Sequence, residues 1–382
     1  MMMHKKVFAL ALAGGLITPL AALADNGNFT FYGVADLSYD MVNTSNGTTL
    51  ANGVVPVKGI NKRVVSSNVS KFGFKGTEDL GDGLSANWQV EQQINFDDAA
   101  KASFASRNTF VNLKSETLGT ILFGIHDTPY KFASRKLDMF GDNIGDNRAL
   151  MGRKTGSGLG FEQRPKNILM YTSPTFSGFN AAIATVNQTE TNTVNTDRRD
   201  SITSLAVMYD VAPFYASIAH EAHKLESNVT ATKLGQDESA TRLGVAYRPE
   251  EMPFELTAMY EKTTDNLGTA QANVNGHNAV FVGAKYNIGN DAVKLGYVKA
   301  GTLGTGTTRV IDSAASQVSL GYDHGLSKRT KLYALYTKIS NGKGSNYNFS
   351  QSSGADFTTA GGISSGFGTS PSVLSLGVKH TF

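Results

Sequence analysis

The sequence predicts an all-β protein, a sixteen-stranded antiparallel barrel that crosses a membrane with its strands. Three observations carry this. An export leader opens the chain, apolar and polar residues alternate in repeated segments, and tight turns alternate with long polar loops.

The leader comes first. His4, Lys5 and Lys6 precede an apolar run from Val7 to Leu23, which closes on Ala22-Leu23-Ala24. A basic start, a short greasy centre and small residues at an A-x-A site describe a secretory signal, with cleavage expected between Ala24 and Asp25. Residues 1–24 are then the signal peptide, and residues 25–382 form one barrel domain. Beyond Ala24 no stretch approaches the roughly 20 apolar residues that a spanning helix requires.

Period two governs the rest. In the first segment Phe29, Phe31, Gly33, Ala35, Leu37 and Tyr39 share one face, and Thr30, Tyr32, Val34, Asp36 and Ser38 share the other. Leu84, Ala86, Trp88, Val90 and Ile94 likewise oppose Ser85, Asn87, Gln89, Glu91, Gln93 and Asn95. A soluble sandwich could hide such a greasy face, but the segments run to about 9–11 residues, the length a tilted strand needs to cross a bilayer. Aromatics stand near segment ends, as with Phe29, Phe31, Tyr39, Phe72, Phe74, Tyr247, Tyr260, Tyr286 and Phe382, in the manner of an interfacial girdle.

Sixteen strands are expected to begin near Asn28, Val65, Leu84, Ser106, Gly119, Lys166, Phe179, Ile202, Phe214, Ala240, Phe254, Asn278, Asp291, Gln317, Thr330 and Pro371. Tight turns fall at 79–83, 173–178 and 287–290. The stretches 43–62, 187–200, 224–238, 263–276 and 341–369 are long and rich in Gly, Ser, Thr and Asn. An even count puts both termini on one side, and closure satisfies every backbone edge.

Composition narrows the function classes. Without cysteine there can be no disulfide framework and no thiolate metal site. The net charge is +3; the leader takes Lys5 and Lys6 and no acid, which leaves +1 and no argument for nucleic-acid binding.

At residues 70–84 the sequence reads Ser-Lys-Phe-Gly-Phe-Lys-Gly-Thr-Glu-Asp-Leu-Gly-Asp-Gly-Leu, followed by Trp88-Gln89-Val90-Glu91. This resembles the second and third strands of the Gram-negative general porins of the β-proteobacterial type. Residues 167–179, residues 326–336 and the ending 376–382 resemble the same family in the same order. The resemblance implies a homotrimer embedded in outer-membrane lipid and lipopolysaccharide, with a third extracellular loop folded into the channel. It also implies that the terminal Phe382 is the aromatic read by the barrel-assembly machinery. No cofactor is expected.

The stretch from Asp127 to Gly160 is the candidate constriction loop, too long for a simple connection. It carries Asp127, Asp138, Asp142 and Asp146 with Arg135, Lys136, Arg148, Arg153 and Lys154. Opposed charges in a narrow mouth set up a transverse field that sorts ions. Alternation places Lys71, Lys75 and Arg107 on the basic wall, with Arg63 a weaker candidate, and Asp36, Glu78 and Glu91 facing the lumen as well. Lys71, Ile125 and Met170 stand where the family often has arginine, so the expected anion preference is mild. Glu91 reads as a partner for a nearby cation rather than a catalytic acid. His220 and His223 should point to opposite sides of a strand, which argues against a shared metal site.

Passive diffusion of small hydrophilic solutes and ions is therefore the leading expectation. A substrate-selective channel for a sugar or organic acid is the nearer rival, with Tyr32 and Tyr130 as possible aromatic steps. An adhesin would use the long loops. A hydrolase is disfavoured, since no G-x-S-x-G and no paired His and Asp setting stands out.

Overall fold

In the computed structural model the described residues are 28–47, 58–97, 104–152, 160–187, 201–225, 236–265, 276–306, 309–349 and 366–382. The leader and its cleavage site lie outside them, as do Arg153, Lys154 and most of the long polar loops. Seventeen strand segments, β1 to β17, form one closed antiparallel sheet. The sheet runs β1 (Thr30–Thr44), β2 (Asn61–Ser67), β3 (Lys71–Gly81), β4 (Leu84–Gln93), β5 (Thr109–Ser115), β6 (Gly119–Ile125), β7 (Ile168–Thr172), β8 (Phe179–Asn187) and β9 (Ser201–Val211). It continues through β10 (Phe214–Leu225), β11 (Gln236–Tyr247), β12 (Phe254–Asp265), β13 (Asn278–Ile288), β14 (Asp291–Ala300), β15 (Ala315–Gly325), β16 (Thr330–Asn341) and β17 (Pro371–Thr381).

These segments make sixteen staves, because β2 and β3 are one stave broken by a bulge. Both pair with β1: Leu37 lies opposite Ser67, yet Val34 lies opposite Lys71. The spare residue falls at Asn68-Val69-Ser70, where Val69 takes a φ of 55°. A one-residue bulge reverses which side chains face inward. Inward positions are odd in β3 and even in β2. Arg63 therefore lies opposite Met41 and shares the outer face with Val65, so it is no pore-wall residue. Counting back by twos from Lys71 misassigns it because the count crosses the bulge. Glu78 is corrected on parity alone: it shares the outer face with Phe72 and Phe74, opposite Ala86.

The outer surface is apolar. Val65, Val111, Leu113, Phe123, Ile218, Val245, Leu295 and Leu320 are all exposed, as expected where lipid takes the place of water. No described helix is long and apolar enough to cross a membrane. At the short-turn rim the aromatics meet one another. Phe31 lies 5.2 Å from Phe74 and 5.7 Å from Phe382, and Phe214 lies 5.3 Å from Tyr247.

Closure is completed by the last residue. The Gly33 N–H donates to the Phe382 carbonyl at 2.8 Å, and the Phe382 N–H donates back to Gly33 at 3.1 Å. The Phe382 ring lies directly on Gly33, where a Cβ would stand 2.2 Å from Cζ. Gly33→Val must expel that ring from the seam between β1 and β17. The expected result is a heat-modifiable barrel band that unfolds at lower temperature than wild type, read by gel mobility after stepwise heating; an unchanged transition would remove this role.

Candidate functional site

The connection between β6 and β7 folds into the barrel. It begins with helix α1 (Pro129–Arg135), which Pro129 starts well because its fixed φ suits the first turn and its missing N–H is not needed there. The helix packs against the inner faces of β8, β9 and β10. After it, Asp138 accepts from the N–H groups of Phe140 and Asn147, both at 2.9 Å. Asp146 caps the short 3-10 turn Asn147–Ala149 by accepting from Arg148 N–H at 2.8 Å, and it also accepts from Asp142 N–H at 2.9 Å.

The inner wall provides recesses for the loop. Leu137 sits over Gly244, and Phe140 sits over both Gly296 and Gly321, where added Cβ atoms would stand 3.0 and 2.9 Å from the ring. Leu137, Phe140, Leu150 and Met151 are fully buried in the largest apolar cluster of the molecule. Lys294 Nζ lies 5.2 Å from the Phe140 ring centre.

A polar latch ties the loop down beside this. Arg242 on β11 and Glu261 on β12 lie opposite each other and form an ion pair. Tyr130 OH donates to Glu261 at 2.5 Å, and Gly152 N–H donates to its other oxygen at 2.8 Å. Arg242 also donates to Ser134 Oγ at 2.7 Å and pairs with Glu162. Tyr215 OH donates to the Ala133 carbonyl, which fastens the helix to β10. Tyr130 is thus wholly buried and offers no aromatic step to a solute. Tyr32 stays on the inner face of β1, bonded to Glu91 at 3.0 Å.

Across the opening stands the basic wall. Glu91 takes Lys71 at 3.2 Å and Arg107 at 2.6 Å, so the carboxylate is a counter-ion, as its sequence setting suggests. Lys75 is exposed on the same inner face, 5.5 Å from the centre of the Tyr32 ring. Asp36 is buried, paired with Lys379 at 3.4 Å and bonded by Tyr333 OH at 2.8 Å. Arg164, which lies just beyond the stretch read as the loop, joins this region by pairing with Asp127 at 3.1 Å.

The loop acids are largely satisfied by the loop itself. Asp127 takes Lys131 at 3.0 Å and Arg135 at 3.8 Å, and Asp142 takes Arg135 at 2.8 Å and Arg148 at 3.1 Å. Asp146 pairs with Arg148. Burial alone would raise the carboxyl groups of Asp127 and Asp142, yet these cations hold both well below the usual range. Arg107 and Lys71 contribute to lowering Asp142, which makes it the loop acid that feels the basic wall.

Asp138 goes the other way. Enclosure by protein and the nearby Asp146 charge push it up to about 8, against the opposing pull of its two N–H donors and Arg148. It is therefore mostly protonated at neutral pH and adds little to the field. Its deprotonation at higher pH brings one negative charge into the loop, so any anion preference should fall as pH rises through about 8. Reversal potentials at pH 6 and pH 9.5 measure this, and Asp138→Asn should flatten the difference.

The sequence model of the Gram-negative porins matches residues 9–344. The chain belongs to that family. It is 27% identical to outer membrane porin protein 32 of Delftia acidovorans over the full length of both chains. It is 26% identical to the major outer membrane protein P.IB of Neisseria gonorrhoeae, covering 90% of this chain and 95% of that one. A solved anion-selective porin from Comamonas acidovorans superposes with a TM-score of 0.72 at 26% identity, covering 94% of this chain and all of the other. The protein is an outer-membrane porin of the β-proteobacterial type.

Met170 is buried among Leu122, Ile168, Ala184, Val186 and Ile202, so this point of the inner wall is an apolar patch. His220 bonds Thr241 at 2.8 Å, while His223 is held between Glu221 and Glu238 at 2.9 and 2.7 Å. A G-x-S-x-G does exist in the chain, Gly362-Ile363-Ser364-Ser365-Gly366, in a Gly/Ser-rich stretch of which all but Gly366 lies outside the described residues. No strand-then-helix pattern flanks it in sequence, which that motif needs.

Proposed function

We propose that this porin passes small hydrophilic solutes and ions by passive diffusion, with a mild preference for anions. One observation carries the reading. Asp127, Asp142 and Asp146 are each paired with cations of their own loop, whereas the opposing wall sets Lys71, Lys75 and Arg107 against the single carboxylate of Glu91. The charge left over at the opening is positive but modest, and the loop's compensated acids weaken the transverse field. The solved relative named for anion selectivity supports the sign.

In this reading Lys71, Lys75, Arg107 and Glu91 line the eyelet with Asp142, while Asp138 and Asp146 shape the loop. Export with cleavage after Ala24, a homotrimer in lipopolysaccharide-bearing outer membrane, and recognition of Phe382 by the barrel-assembly machinery complete it. A sugar-selective channel loses support with the burial of Tyr130. Liposome swelling tests the diffusion reading directly. Uncharged sugars should enter at rates that fall smoothly with size, without saturation; a saturable rate for one solute class would favour a selective channel.

A further inference from the structure

On the inner face near the short-turn rim, the strand register sets like charges directly opposite each other. Lys285 on β13 faces Lys294 on β14, and Lys331 on β16 faces Lys379 on β17. Opposed like charges on neighbouring strands are destabilising unless something negative lies between them. The carboxylates at hand are already engaged. Asp323 bridges Lys294 at 3.0 Å and Lys331 at 2.7 Å, and Asp36 takes Lys379. Glu255, opposite Lys285, takes Arg248 at 2.5 Å.

Lys285, Lys331 and Lys379 line one cavity of about 380 Å³, together with Lys328 and Arg329 from the turn between β15 and β16. Its remaining acid, Asp291, accepts from Tyr322 OH and faces His324 Nδ1, both at 2.7 Å. The cavity is therefore strongly cationic, open to solvent and wide enough for a hydrated polyatomic anion. Lysine ammonium groups suit such a ligand, since they are mobile point charges that need no fixed bidentate geometry.

We propose that this short-turn mouth is a second anion station, separate from the eyelet, that binds a small divalent oxyanion. A dianion interacts with each ammonium twice as strongly as chloride does, so the site favours it over the bulk electrolyte. The inward orientation of the lysines keeps it off the lipid headgroups. Its effect on transport rests on the diffusion reading above, but binding to it does not.

Inorganic phosphate is the probe, and Lys285→Gln, Lys328→Gln and Arg329→Gln together form the variant, because none of the three has an ion pair to a carboxylate among the described residues. Calorimetric titration of the detergent-solubilised full chain should show saturable phosphate binding, weakened about ten-fold in the triple variant. A second variant, Lys75→Gln in the eyelet, should leave that binding unchanged. In planar bilayers, phosphate added on the short-turn side should reduce chloride current more than phosphate on the other side. Phosphate binding without conductance would support the station and overturn the diffusion reading. Conductance with no phosphate binding, or binding untouched by the triple variant, would overturn the station alone.

Discussion

Arg242→Ala should open the channel. The guanidinium is buried and serves Glu261, Glu162 and Ser134 at once, so its removal leaves two carboxylates against protein with no counter-ion. Breaking a buried ion pair from one side costs about 3–5 kcal/mol, much of it the uncompensated charge that remains. The barrel wall can survive this, because its ladder is backbone. The loop bears the cost, since Tyr130 and Gly152 both reach Glu261 and would face a carboxylate seeking water. Single-channel records should show larger and noisier conductance, and swelling assays should admit larger sugars. Glu261→Gln alone should be milder, because it leaves no uncompensated buried carboxylate at that position: the single amide oxygen can still accept from either Tyr130 OH or Gly152 N–H, and Arg242 keeps Glu162. Equal conductance in wild type and Arg242→Ala would show that the latch does not hold the loop.

Phe140→Ala should have a comparable effect by a different route. The ring fills the recess made by Gly296 and Gly321 and is fully buried. Truncating a buried phenylalanine costs about 3–5 kcal/mol through lost transfer energy and the cavity left behind. Here that cost falls on docking of the loop rather than on the barrel. Protease digestion of outer-membrane fragments should cut within residues 127–165 in the variant and spare the wild type. Gly321→Val attacks the same joint from the wall and should give the same cleavage. If both variants resist protease as wild type does, apolar docking is not what fastens the loop.

The architecture was legible because period two survives in almost every stave. The strands expected at Leu84, Gly119, Phe179, Phe214, Phe254, Asn278, Asp291, Thr330 and Pro371 begin at those residues. Tight turns and girdle aromatics were equally plain, since each follows from local chemistry. The second stave was harder. Nothing in Ser67-Asn68-Val69-Ser70 announces a bulge to a reader counting alternation, and that one extra residue moved Arg63 to the outer face.

The site was half legible. Lys71, Lys75 and Glu91 follow from parity within unbroken segments, whereas Arg107 stands on the bend before β5, whose odd positions Val111 and Leu113 face outward, and reaches Glu91 only because that bend turns it inward. Asp127 and Asp142 follow from their place in a loop too long to be a connector. What the sequence could not show was partnership. Asp138 and Asp146 look like field-setting acids but serve as caps, and Arg242, Glu261 and Tyr130 are distant in sequence and meet only because the loop folds back against β11 and β12. The six cations around the short-turn cavity, counting Lys294 just behind it, sit on strands or turns separated by up to about ninety residues, and only closure of the barrel gathers them.

The central claim is a positive but weakly biased opening, and the zero-current potential in a ten-fold KCl gradient tests it most directly. A potential of the chloride sign is expected at neutral pH, no more than roughly half the limit of about 59 mV per decade for a perfectly selective monovalent channel. A potential near that limit, or one of the potassium sign, would contradict it.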